Sequence, residues 1–226
     1  RRRGAERLAE RALDELRSAA EAHGLTFGPD PATHSRCTLG GMIGNNSCGA
    51  HSVMAGKTVE NIKALEVVTY DGARFWCGPT DEAEYRRILA KNDRQAEIYR
   101  GLKLLADSYG ELVRAGFPKI KRRVSGYNLD QLLPENGFNV ARALVGSEGT
   151  CALTLQAKAK LVKSPAHRVL LVQGYPDVYQ AGDAVPEILA AGPIACEGLD
   201  EPIIGGLRER RLKLDDLQLL PEGKAW

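Results

Sequence analysis

Cys37-Thr38-Leu39-Gly40-Gly41-Met42-Ile43-Gly44-Asn45-Asn46-Ser47-Cys48-Gly49-Ala50-His51-Ser52-Val53-Met54-Ala55-Gly56 carries more information about this chain than any other segment. Glycines at 40, 41, 44, 49 and 56 are interleaved with small polar side chains and very little bulk. Glycine has no Cβ, so the backbone N–H groups of such a stretch can approach an anion or a flat ligand closely. The interspersed Leu39, Met42, Ile43 and Val53 separate it from a flexible linker. Residue types alone leave two roles open, a ligand cradle or a compact loop that only packs. Thr38 is placed to cap a short helix inside the stretch. There is no GxxxxGK[ST] and no GxGxxG between a strand and a helix, which excludes a P-loop and a Rossmann fingerprint.

Upstream, the periodicity predicts an amphipathic helix from Ala5 to His23, stopped by Gly24, then a short strand Leu25-Thr26-Phe27 and a rigid turn Gly28-Pro29-Asp30-Pro31. Downstream, Ile62 to Tyr70 and Ala73 to Cys77 have strand composition, and Asp71-Gly72 between them signals a hairpin. A helix start at Thr80 to Glu84 leads into helical patterns over Tyr85 to Leu89 and Ala96 to Val113. Lys119 to Arg123 is basic and reads as a solvated loop. Val124 to Leu129 is loop-like, and Asp130 to Leu133 forms a helical turn. A second small-residue cluster, Gly146-Ser147-Glu148-Gly149-Thr150, lies between a short apolar strand and a long strand-like run from Cys151 to Val162. Ser164-Pro165 reads as a boundary. Beyond it the pattern is βαβα: strand Val169 to Gln173, helix Asp177 to Ala191, strand Ile194 to Leu199 and helix Glu201 to about Leu212.

The 226 residues suffice for a sizeable core, and the composition, 43% hydrophobic and 27% charged, is that of a globular protein. A net charge of +2 with interspersed signs leaves no footprint for nucleic acid or an anionic membrane. No apolar run reaches the length of a bilayer span. Cys37, Cys48, Cys77, Cys151 and Cys196 are scattered, form no CxxC and have no metal-ligand spacing, so reduced thiols and a cytoplasmic setting are expected. Cys48 reads as a small buried space-filler, with a reactive thiol as the alternative. The chain opens on Arg1-Arg2-Arg3 and closes on Pro221 to Trp226, and it is expected to be a piece of a longer protein.

Several ordered motifs resemble one family. Pro29-Asp30-Pro31, Thr38-Leu39-Gly40-Gly41, Asn45-Asn46-Ser47-Cys48-Gly49, Gly56-Lys57-Thr58 and Glu66 to Gly72 resemble the FAD-linked oxidases, the flavin fold of p-cresol methylhydroxylase and vanillyl-alcohol oxidase. Arg122 to Leu129 and Gly146 to Thr150 are similar to the branch holding D-lactate dehydrogenases and the glycolate oxidase FAD subunit, and above all to long bacterial proteins fused to an iron–sulfur module. The resemblance runs from about residue 13 to the end. It implies an α+β fold: an N-terminal helix (1–24), the second lobe of a PCMH-type FAD-binding domain (25–163), and the start of a ferredoxin-like α/β substrate (cap) domain (164–226).

It also implies non-covalent FAD held by Pro29, Asp30, Pro31, Thr38, Leu39, Gly40, Gly41, Asn45, Asn46, Ser47, Gly49, His51 and Val53, with Glu148 and Gly149 toward the cofactor's other end. Some relatives attach FAD through a histidine; in this branch His51 is expected to pack or hydrogen-bond. Arg122 and Arg123 are candidates to neutralise a substrate carboxylate or charge developing on the flavin, with a solvated loop as the competing role. The implied reaction is oxidation of a small 2-hydroxy acid, D-lactate first and glycolate next, with electrons leaving to a quinone, cytochrome or iron–sulfur carrier. Nucleic acid and transmembrane partners are not expected, and peripheral association with the inner membrane is the alternative to a purely cytoplasmic parent. An Arg-Gly-Gly-Gly-Thr-like phosphate loop, a Gly-Asp-Gly-Asn-like motif and an iron–sulfur cysteine cluster are absent from this sequence. Two further readings therefore stand: a non-catalytic fragment that binds FAD weakly or not at all, and a same-fold enzyme acting on 2-hydroxyglutarate or an aldonolactone.

Overall fold

A computed structural model describes residues 6–8 and 12–226, with side chains from residue 12 onward. Contacts divide the chain into one unit ending at Ser164 and another running from Pro165 to Trp226.

The first unit is a layer of helices on a small antiparallel sheet. Its elements are β1 (Glu6–Leu8), α1 (Leu13–Glu21), β2 (Leu25–Thr26), α2 (Leu39–Asn45), α3 (Ser52–Ala55), β3 (Ile62–Val68), β4 (Arg74–Cys77), α4 (Glu82–Ala90), α5 (Arg94–Gly116), α6 (Val140–Leu144), β5 (Leu153–Ala159) and β6 (Val162–Lys163). The sheet order is β1-β5-β3-β4, with β2 and β6 forming a separate pair. The Asp71-Gly72 hairpin joins β3 to β4, with Thr69 and Ala73 closing it through Thr69 N–H to Ala73 O at 3.0 Å. Pairing of β3 with β5 shifts register twice, between Ile62 and Ala64 and between Glu66 and Val67. Those shifts break simple alternation, which is why Leu65, Glu66 and Val67 are all buried.

The outer edge of β4 is covered, because Gln95 Nε2 from α5 donates to Trp76 O. Under the helices, Leu13, Phe27, Met42, Ile43, Ile62, Leu65, Tyr99, Val140 and Val145 share one core. Tyr99 sits edge-on to both Phe75 and Phe138, and Phe138 meets Tyr85 the same way. Helix α4 begins where expected because Asp81 caps it, accepting from Glu84 N–H, and α5 begins at Arg94, ahead of the expected Ala96, because Asp93 accepts from Ala96 N–H.

Three expectations change. The helix predicted from Ala5 is cut short: residues 6–8 are a strand on the free edge of β5, and α1 starts only at Leu13. Pairing with a sheet edge outweighs helical periodicity there; Ala5 and residues 9–11 lie outside the described residues. The apolar residues before Gly146 are helix α6 rather than a strand, because Asn139 caps them by accepting from Arg142 N–H at 3.1 Å.

The third change concerns the second unit. Its helices form: α7 (Val178–Ala190), capped by Asp177, α8 (Glu201–Glu209), capped by Asp200, and α9 (Leu214–Leu217). The strands predicted over Val169–Gln173 and Ile194–Leu199 do not. Only single bridges, Tyr175 with Ala225 and Asp200 with Ala225, are present. A strand is stable only with a neighbour to pair with, and Val169 is left 94% exposed. The unit instead closes around Ala225 and Trp226, both buried with Ile204, and the Trp226 indole N–H donates to Pro221 O at 2.8 Å.

Candidate functional site

The glycine stretch folds as a short helix and a tight exit. Thr38 Oγ1 accepts from Gly41 N–H at 3.0 Å, capping α2. Asn46 ends the helix in the left-handed region (φ 54°), and Ser47 N–H returns to Met42 O at 3.0 Å. The remaining carbonyls at this end are taken by the second small-residue cluster: Gly146 N–H donates to Ile43 O at 2.8 Å and Glu148 N–H to Gly44 O at 3.0 Å. Docking the loop this way puts Glu148 in the left-handed region at φ 50°, an unusual conformation for a residue with a Cβ.

A groove of about 410 Å³ results, walled by Gly40, Gly41, Ile43, Gly44 and Asn45 of α2 on one side and Leu144, Ser147, Glu148, Gly149, Ala152, Leu153 and Thr154 on the other. Three of the five α2 residues lack side chains, so helix backbone itself forms that wall. Asn45 Nδ2 bridges the walls to Glu148 Oε1 at 3.2 Å, and Ser47 Oγ donates to Asn45 Oδ1 at 3.2 Å. An apolar cavity of about 450 Å³, lined by Val67, Phe75, Ile98 and Leu102 among others, shares Leu144 and Ala152 with it. A larger cleft of about 530 Å³ lies elsewhere, between β4 and helices α4 and α5. Its cations are occupied by neighbours (Arg74 with Glu66, Arg87 with Glu84, Arg94 with Asp71), so it reads as helix–sheet packing.

The structure sorts most of the sequence-predicted cofactor residues into three groups. Gly40, Gly41, Asn45, Glu148 and Gly149 meet at the groove. Asp30, Pro31, Gly49 and His51 form a second, tightly packed contact next to buried Pro29: Asp30 Oδ1 accepts from His51 N–H at 2.7 Å and Asp30 Oδ2 lies 2.9 Å from His51 Nδ1. A Cβ on Gly49 would lie 2.0 Å from Asp30 O, so glycine is required for the turn and the loop to touch. His51 is therefore held by Asp30. Leu39 and Asn46 point into the protein instead: Leu39 belongs to the core, and Asn46 Oδ1 accepts from Val59 N–H at 3.0 Å. Val53 is exposed.

The two arginines separate. Arg123 is fixed by Asp130 Oδ1 at 2.6 Å and stacks over Phe117 at 4.5 Å, a structural role. Arg122 reaches the glycine stretch, with Nη2 3.1 Å from Cys48 Sγ. Sequence reasoning missed Gly44, whose spacing from Gly40 and Gly41 (i,i+4 and i,i+3) puts all three on one face once a helix is assigned. It also missed Leu153 and Thr154, which carry no motif.

The groove fits a cofactor with a flat or anionic part. One wall is largely bare backbone, and the lining is mainly apolar with a few polar groups. Among the described residues no His, Cys, Asp and Glu cluster is placed to hold a metal ion, and no helix is long and apolar enough to cross a membrane.

Residues 12–78 match the family model described as an FAD binding domain. The glycine stretch and the turn before it lie within the matched residues. The flanking sequence agrees: this chain is 32% identical over 192 residues to a D-2-hydroxyglutarate dehydrogenase of Pseudomonas putida, covering 84% of this chain and 19% of that protein. It is 28% identical over 194 residues to the glycolate oxidase subunit GlcD of Bacillus subtilis, covering 85% of this chain and 30% of the subunit. The chain thus spans about a fifth of the first relative and under a third of the second. A solved alkyldihydroxyacetonephosphate synthase superposes over 100% of this chain and 34% of its own, with a TM-score of 0.52 at 15% identity, which establishes the shared α+β fold alone.

Proposed function

We propose that this chain supplies an FAD-cradling lobe of a flavin-dependent dehydrogenase acting on 2-hydroxy acids. The observation that supports it is the groove itself: two small-residue clusters far apart in sequence meet, and one presents bare helix backbone. Bound FAD would supply a hydride acceptor for the substrate α-carbon. The chain's own residues would do the holding. Gly40, Gly41 and Gly44 admit the cofactor, Asn45 and Glu148 hydrogen-bond at its edge, and the Asp30–His51 contact fixes the loop that follows. A non-covalent site is favoured, because the His51 ring is already held by Asp30. Several relatives carry the name D-2-hydroxyglutarate dehydrogenase, so that dicarboxylate now precedes D-lactate and glycolate as the candidate substrate.

The test is retention of flavin. The purified chain is mixed with excess FAD, desalted and read by its visible absorbance, then challenged with D-2-hydroxyglutarate, D-lactate and glycolate. Retained flavin that bleaches with one of these acids is the expected result. Retained flavin without bleaching leaves a cofactor-binding segment whose chemistry needs more of the longer relatives. No retained flavin refutes the cradle.

A further inference from the structure

We infer that the loop Lys119–Arg123 is a docking surface for an acidic electron-carrier protein. The inference rests on the function proposed above, since a dehydrogenase must hand on its electrons. Between Glu111 and Asp130 the sequence carries Arg114, Lys119, Lys121, Arg122 and Arg123 and not one carboxylate, in a chain whose net charge is only +2. The acids at the two ends are already committed: Glu111 and Glu135 to Arg114, Asp130 to Arg123. Among the described residues, no carboxylate pairs with Lys119 or Lys121. Ile120, between those two lysines, is 65% exposed.

A merely solvated loop would need no tethers, and this one has three. Lys57 Nζ donates to Lys121 O at 2.8 Å, Arg122 reaches Cys48, and Arg123 is clamped between Asp130 and Phe117. The result is a pre-organised apolar tip ringed by cations. That combination suits the small, electrostatically steered interfaces of redox partners, where charge sets encounter and one apolar contact adds grip. The Cys48 tether holds this surface against the FAD-binding segment, where an electron carrier has to arrive. A dicarboxylate substrate would satisfy the cations but leave Ile120 without a role. A single isoleucine on a fixed loop is too little apolar surface to anchor in a bilayer.

The test titrates the full chain with two probes, an acidic plant-type [2Fe–2S] ferredoxin and basic cytochrome c, by calorimetry at low and high salt. Ferredoxin is expected to bind in a salt-sensitive way and cytochrome c not to bind. Lys119→Glu with Lys121→Glu should weaken ferredoxin binding at least about tenfold, and Ile120→Ala should weaken it less. These side chains are exposed, so circular dichroism and the denaturation midpoint should be unchanged. Absent ferredoxin binding, equal binding of both probes, or indifference to charge reversal overturns the inference. So does binding only to phosphatidylglycerol vesicles, which would assign the loop to a membrane. Flavin retention is read separately on the same proteins, so failure of the cradle and failure of the docking surface are distinguishable.

Discussion

Replacing Gly49 by alanine should cost the first unit much of its stability. The new Cβ would lie 2.0 Å from Asp30 O, 2.3 Å from Asp30 C and 2.8 Å from Pro31 N, all backbone atoms that cannot rotate away. Restoring ordinary contact means parting the two segments by about 1.4 Å, since real Cβ contacts lie near 3.4 Å or beyond. That separation pulls Asp30 off His51 N–H, now at 2.7 Å, and off the His51 ring. Overpacking costs about 1–3 kcal/mol and a lost hydrogen bond to a charged group about 1.5–3. The sum, roughly 2.5–6 kcal/mol, is a large share of a typical domain's stability. Urea denaturation measures it, with Gly101→Ala as control. Gly101 lies inside α5 with nothing within 4 Å of its added Cβ, so alanine there should stabilise by about 0.5–1 kcal/mol. A Gly49→Ala protein within about 0.5 kcal/mol of wild type would show that the turn and the loop are not locked together.

Other outcomes follow from the same contacts. Glu148→Gly should be about 1 kcal/mol more stable than Glu148→Ala, because both lose the carboxylate and only alanine keeps a Cβ at φ 50°; equal denaturation midpoints would count against strain at this position. Asn46→Ala should cost about 2–4 kcal/mol, since it strands the buried Val59 N–H and leaves a Cβ in the left-handed region, and urea unfolding reads it directly. Burial pushes the Cys77 thiol up to about 12, so a thiol-disulfide reagent should label exposed Cys151 and spare Cys77 until the chain unfolds. The Arg114 guanidinium holds the Glu135 carboxyl down at about 2 from an ordinary 4.5. Its contribution is therefore complete above pH 4.5 and lost as pH falls toward 2, and Glu135→Gln should flatten the stability curve in that window alone.

Much of the first unit was legible because its signals are local. The acid-rich start at Thr80 to Glu84 announces its helix, Asp71-Gly72 its hairpin, and Thr38 the short helix within the glycine stretch. The site residues were legible as two clusters, but their meeting was not. Nothing in Gly146 or Glu148 states that their N–H groups will take the carbonyls of Ile43 and Gly44. Failures came where a partner decides the outcome. Glu6 to Leu8 has a helical pattern and pairs with β5 instead, while Val169 to Val172 has strand composition and lacks a strand beside it. Arg122 and Arg123 are adjacent and chemically alike in sequence, yet Phe117 and Asp130 immobilise one while Cys48 receives the other.

The bond between Asn45 and Glu148 closes a separation of 103 residues. On a ribosome adding about 5–20 residues per second, the second wall of the groove emerges roughly 5–20 s after the first. During that interval α2 stands with its glycine face and the carbonyls of Ile43 and Gly44 open to water, while β3 waits for β5. A pause or cleavage between Asn45 and Glu148 therefore leaves one wall of the groove without the other.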